Sequence, residues 1–170
     1  MGINGGFYKV LLLLHVLTSI VGFGAVLLNG LYAAQARARK GPAGLAIAEA
    51  NFAASKVAQY FIYAVFVLGF ALVGASDGVY KFSQTWVWLS AVVYVASMGV
   101  SHGVLTPTVA RINALSAEMV AGGPPPGGPP GPPPQVAQIE ELARKIPPAV
   151  AYLDVSLVAI LALMIWKPGL

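Results

Sequence analysis

Long stretches of this chain carry no charge. No Asp, Glu, Lys or Arg occurs from Val10 to Ala36, from Val57 to Ser76 or from Phe82 to Ala110, and the stretch from Pro147 to Trp166 holds one, Asp154. A helix that crosses the hydrocarbon layer of a bilayer needs about 20 such residues. The pattern predicts four transmembrane helices at about 8–35, 55–76, 83–110 and 147–166. The apolar runs are continuous and do not alternate, which excludes the strands of a transmembrane barrel. The expected fold class is all-α: a four-transmembrane-helix bundle with a short cytoplasmic amphipathic helix before the fourth span, the whole of 1–170 forming one membrane domain.

Between the runs, Val136, Ile139, Leu142, Ala143 and Ile146 recur at helical spacing, with Glu140, Glu141, Arg144 and Lys145 on the other face. That is the amphipathic helix, lying on the membrane surface and leading into Pro147 at the start of the fourth span. Ahead of it, residues 122–134 read GGPPPGGPPGPPP, eight Pro and five Gly. Proline lacks an amide donor and glycine costs backbone entropy, so the tract is expected to be a polyproline II-like spacer rather than a helix or strand. Its alternative use is as a ligand for an aromatic-groove module. In the first loop, Leu45 to Ser55 is Ala-rich and helix-forming, and either extends the second span or lies at the interface.

Composition agrees with the pattern. Hydrophobic residues make up 58% of the chain and charged residues 9%, against roughly 45–50% and 25% in soluble domains. So few charges cannot coat a water-facing surface, which excludes a soluble globular enzyme. The net charge of +4 is small and unevenly placed; nucleic acid is not implied, and the expected surroundings are the lipid bilayer. The absence of cysteine removes disulfides, thiolate metal sites and cysteine nucleophiles. Seven of the ten Lys and Arg fall in the first and third loops: Arg37, Arg39, Lys40, Lys56, Arg111, Arg144 and Lys145. The positive-inside rule then puts these loops in the cytoplasm and both termini outside, in a bacterial plasma (inner) membrane. Tyr80, Trp86, Trp88 and Trp166 fall near the outer boundary, as an aromatic belt would. The first apolar run, preceded only by Lys9, is long for a cleaved signal and reads as a retained span.

Four polar residues inside the spans are the candidate functional positions: His15, Asn29, His102 and Asp154. Two histidines on two spans suggest a haem iron between them. Their depths oppose this. His15 lies toward the outer side of its span and His102 toward the inner side of its own, roughly 20 Å apart along the membrane normal. Separate b-type haems on His15 or His102 remain an alternative; no further cofactor, metal site or catalytic residue is expected. His102 and Asp154 sit within about 5 Å of each other in depth and are expected to form a pair, with Asn29 able to join it. Pro107 is expected to kink the third span and free the Gly103 carbonyl beside His102. His15, Ser19, Gly22, Val26, Asn29 and Ala33 form one face of the first span, and Ser90, Tyr94, Ser97, Ser101 and Thr108 one face of the third. Both stripes are expected to pack within the bundle.

The segment LLLLHVLTSIVGFGAVLLNG at 11–30, the basic first loop, VFVLGFALVG at 65–74 with the following Trp86, and GVLTPTVARINAL at 103–115 together resemble a bacterial family of integral membrane proteins, domain of unknown function 2269. The likeness covers nearly the whole chain and implies a four-span fold without an established activity. A second likeness, to small haem membrane proteins of the protoporphyrinogen-oxidase-like family and to copper-resistance D proteins, would imply haem or copper. The Trp and Arg expected after the first-span histidine in the former, and the Met-rich or multi-His copper set of the latter, are absent here. The expected function is that of a non-catalytic accessory or scaffold subunit in a larger membrane complex or homo-oligomer. Proton or metal-ion handling through the His–Asp pair is the alternative.

The charge split is directly testable. A periplasmic phosphatase fused after Lys81 or at the C-terminus should be active, and the same enzyme fused at Lys40 or Gln135 should be silent. Activity at Lys40 would reverse the orientation.

Overall fold

In a computed structural model, which describes residues 2–122 and 133–170, the chain is a bundle of helices with no strand among the described residues. The helices are α1 (Gly6–Ala38), α2 (Pro42–Gly74), α3 (Thr85–Val100), a π-helical turn (Ser101–Leu105), α4 (Thr106–Gly122), α5 (Pro134–Ala143) and α6 (Ile146–Trp166). They make four stretches long and apolar enough to cross a membrane: Gly6–Ala38, Pro42–Gly74, Thr85–Gly122 and Pro134–Trp166. Most of the Pro/Gly tract, 123–132, lies outside the described residues.

α2 begins at Pro42, so the Ala-rich stretch from Leu45 to Ser55 extends the second span, one of its two expected placements, and the first connection is short. Proline suits this start because the first turn needs no amide donor. The turn itself is Arg39 to Gly41, with Gly41 at φ +74°. Gly44 has to be glycine because a Cβ there would collide with the backbone oxygens of Arg39 and Ala36. The tight turn lays α1 directly along α2, and the packed face of α1 is the predicted stripe. His15, Ser19, Val26, Asn29 and Ala33 are half-buried and Gly22 is buried, while most residues between them are exposed. Gly22 marks the closest approach, where a Cβ would stand 3.0 Å from Ile62 Cγ1 and 3.2 Å from its backbone nitrogen. Small residues let helix backbones come this close.

The third span carries a defect where the sequence requires one. Pro107 has no N–H, and its ring would strike the carbonyl four residues earlier in a regular helix. The backbone widens into the π turn just before it, where the Thr106 N–H bonds to the Ser101 carbonyl five residues back. The expected kink is thus realised as a π turn. Below it, α4 runs on to Gly122, three turns past the predicted end of the span. α2 packs against α4, tied by Gln59 Nε2 to Thr106 Oγ1 (3.3 Å) and Asn113 Nδ2 to the Ala48 carbonyl (3.4 Å). Above it, the backbones of α2 and α3 diverge and large side chains fill the wedge: Phe66 stacks on Tyr94 at 4.8 Å, and the Tyr94 hydroxyl donates to the Ile62 carbonyl. α6 packs on α3.

Side chains close the end of the bundle that carries both termini. Val73, Trp86 and Val87 form a buried core with Tyr80 and Leu163 against it. Lys167 Nζ donates to Tyr80 Oη at 2.8 Å and lies over the rings of Tyr80 and Trp86. Ser76, fully buried, holds the α2–α3 connection by donating to the Val73 carbonyl and accepting from the Tyr80 N–H.

Glycine replacements should separate these roles. Gly44→Ala is expected to destabilise the protein by about 1–3 kcal/mol through overpacking. Gly30→Ala, with open space around the new Cβ, should be neutral or stabilising by up to ~1 kcal/mol. Thermal denaturation in detergent measures both.

Candidate functional site

The four intramembrane candidates do not converge. Asn29 takes a hydrogen bond from Ser55 Oγ (3.0 Å), which links α1 to α2 near the turn between them. His102, on the π turn, uses both ring nitrogens. Nδ1 lies 3.0 Å from the Met98 carbonyl, and Nε2 lies 2.5 Å from Tyr63 Oη. The carbonyl can only accept, so Nδ1 carries the proton and Nε2 accepts from the phenol. The two rings stack at 5.8 Å.

The expected His102–Asp154 pair is therefore absent. Asp154 is exposed on α6 and has no hydrogen-bond or ion-pair partner among the described residues. Depth does not determine which way a side chain turns. A tyrosine one helix over competes successfully for the imidazole, because a phenol is cheaper than a carboxylate to hold in an apolar setting. Asn29 is engaged elsewhere and does not join either residue.

His15 is the histidine that faces a cavity. The cavity, of about 70 Å³, lies in the wedge between α2 and α3 and is bounded also by α1 and α6. Its walls include Phe66, Phe70, Trp86, Tyr94, Ile160 and Met164. His15 and Ser90 also line it, and one polar atom of each, His15 Nδ1 and Ser90 Oγ, is buried without a hydrogen-bond partner. Gly69 makes room for the ring, since a Cβ there would touch His15 Cε1 at 3.4 Å. With its proton on Nε2, a neutral imidazole leaves Nδ1 as a bare acceptor.

Ser90 differs from four other helix hydroxyls: Thr18, Ser19, Ser55 and Ser97 each donate to the carbonyl four residues earlier on their own helix, at 2.7–2.8 Å. Ser90 makes no such bond, although it is 93% buried at a relative exposure of 7%. Sequence reading placed Ser90 on a packing stripe and missed that it and His15 share a cavity, as it missed Tyr63, Gly69 and Met164. One signal was available: His15 and Ser90 each lie a short way in from the end of the bundle that carries the termini, at matching depth.

The two histidines are not placed to share one haem. His15 abuts Gly69, whereas His102 bonds Tyr63 six residues earlier on α2, about 9 Å away along the helix. Among the described residues no group of three or more His, Asp or Glu side chains could hold a metal ion. Comparison of the chain with family models, curated proteins and solved structures finds no match.

A double-mutant cycle tests the rearranged pairing. His102→Ala and Tyr63→Phe should couple by roughly 1–1.7 kcal/mol, the upper range for side-chain hydrogen bonds between membrane helices. His102→Ala and Asp154→Asn should be additive to within ~0.5 kcal/mol. Chemical denaturation in mixed micelles reads both.

Proposed function

We propose that this chain is a non-catalytic subunit of a membrane assembly, an accessory or scaffold protein that docks through the outer face of α6. The observation that carries this reading is Asp154. It lies eight residues from Ile146 and twelve from Trp166 at the two ends of α6, so about 12 and 18 Å from the ends of the helix. It is exposed there and unpaired among the described residues. A carboxyl group at the centre of a span costs roughly 2.5–3.5 kcal/mol on insertion scales. Such groups normally face protein, not lipid.

The residues around it fit a helix contact. Ala151, Asp154, Val155, Val158, Leu161 and Ile165 are all exposed and recur at three- and four-residue intervals, the spacing of a seam between helices. A partner helix offering a hydrogen-bonding group at that depth would satisfy the carboxyl and cover the stripe. A second copy of the chain and a larger complex both meet this requirement. We place the assembly in a bacterial plasma membrane with both termini outside, on the split of Lys and Arg. Proton or metal handling drew on a His102–Asp154 pair, and without that pair it has no support.

The chain has no cysteine, so Val158→Cys carries a single spin label. In native membranes that label should be shielded from lipid-dissolved oxygen, and one at Leu27→Cys on α1 should not. Extracted in mild detergent, the protein should migrate as a larger species, and Asp154→Leu should reduce it to a monomer. Equal oxygen access at the two labels, with monomeric wild-type protein, would overturn the reading.

A further inference from the structure

Two residues that line the same small cavity each carry a buried polar atom without a partner, and the two chemistries are complementary. His15 Nδ1 is a lone-pair acceptor when the neutral ring carries its proton on Nε2. Ser90 Oγ–H is a donor released from its own helix, unlike Ser19, Ser55 and Ser97. A group that donates to one and accepts from the other is a hydroxyl. An amine cation would be held in apolar walls with no counter-charge, and an anion would meet the imidazole lone pair.

We propose that the cavity between α1, α2, α3 and α6 is a hydroxyl-binding site, in which His15 Nδ1 accepts from, and Ser90 Oγ donates to, hydroxyl oxygen held between aromatic walls. The volume of about 70 Å³ is several times the ~10–15 Å³ that one water needs, room for a few waters or a small hydroxylic group. Two sources share this chemistry. One is internal water. The other is the hydroxyl head of a lipid-soluble phenol or alcohol. Beside the cavity on the bundle surface lies an apolar groove of about 270 Å³, lined by Tyr63, Phe66, Val67, Tyr94, Val95 and Met98. The stacked Phe66–Tyr94 pair belongs to both groove and cavity and forms the partition between them. Tyr94 is held there by its bond to the Ile62 carbonyl.

The site is independent of the docking face, since Asp154 and its neighbours on α6 do not line it. The full chain, labelled with ¹⁵N-histidine and held in lipid nanodiscs, tests it; His102→Gln assigns the two histidines. His15 Nδ1 should resonate upfield of a bare imidazole nitrogen, and Ser90→Ala should move it toward the bare position while Nε2 stays in place. Ring protons of His15 should show a through-space cross-peak to the bound group. A cross-peak at the water frequency that vanishes in D₂O identifies water. A cross-peak that survives D₂O and is lost after the protein is delipidated in detergent identifies a lipid-soluble hydroxyl compound. Should Ser90→Ala fail to fold, the wild-type shift and cross-peaks still decide. A bare Nδ1 in the wild-type protein with no cross-peak would overturn the proposal.

Discussion

Inside hydrocarbon there is no water to complete a hydrogen bond, and every polar group in a span must find its partner in protein. Helix formation satisfies the backbone. The side chains are satisfied in two ways. Thr18, Ser19 and Ser97 turn back onto their own helices and contribute little to how the helices associate. Asn29 with Ser55, Gln59 with Thr106, Tyr94 with the Ile62 carbonyl, and Tyr63 with His102 reach between helices. These four links join α1 to α2 and α2 to the third span, and they give the bundle its arrangement where apolar packing alone has little preference.

The same constraint singles out the groups left over. His15 Nδ1 and Ser90 Oγ belong to residues that line one cavity, and Asp154 faces outward. The three concern different surfaces. The first two are enclosed and complementary, which suits a small hydroxylic guest. Asp154 sits in an exposed seam, which suits another helix. A carboxyl buried inside the cavity would have been a more costly arrangement than either.

The π turn links the two halves of the molecule. Pro107 obliges the third span to widen at Ser101–Leu105. On one side of that turn α2 and α4 lie close; on the other α2 and α3 stand apart. The aromatic residues Phe66, Phe70, Trp86 and Tyr94 occupy the resulting wedge, and the cavity is what their rings leave unfilled. Flat, rigid rings around an imidazole pack with gaps that flexible aliphatic side chains would close.

The four apolar runs, the amphipathic segment before Pro147 and the small-residue face of α1 were all legible in the sequence, because each is a local pattern of period 3.6 or a simple length against bilayer thickness. So was the disturbance at Pro107, whose missing donor is a property of one residue. The pairing of side chains across helices was not. Counting along the spans sets His102 and Asp154 at similar depth, yet azimuth about each helix axis and the crossing of α2 beside the third span gave His102 to Tyr63 and turned Asp154 outward. Likewise Ser90 looked like one more small residue in a stripe; only the divergence of α2 and α3 separates it from Ser97 and sets it opposite His15. Depth follows from counting residues along one chain segment, whereas azimuth depends on how all the helices settle against one another, and that is decided in three dimensions.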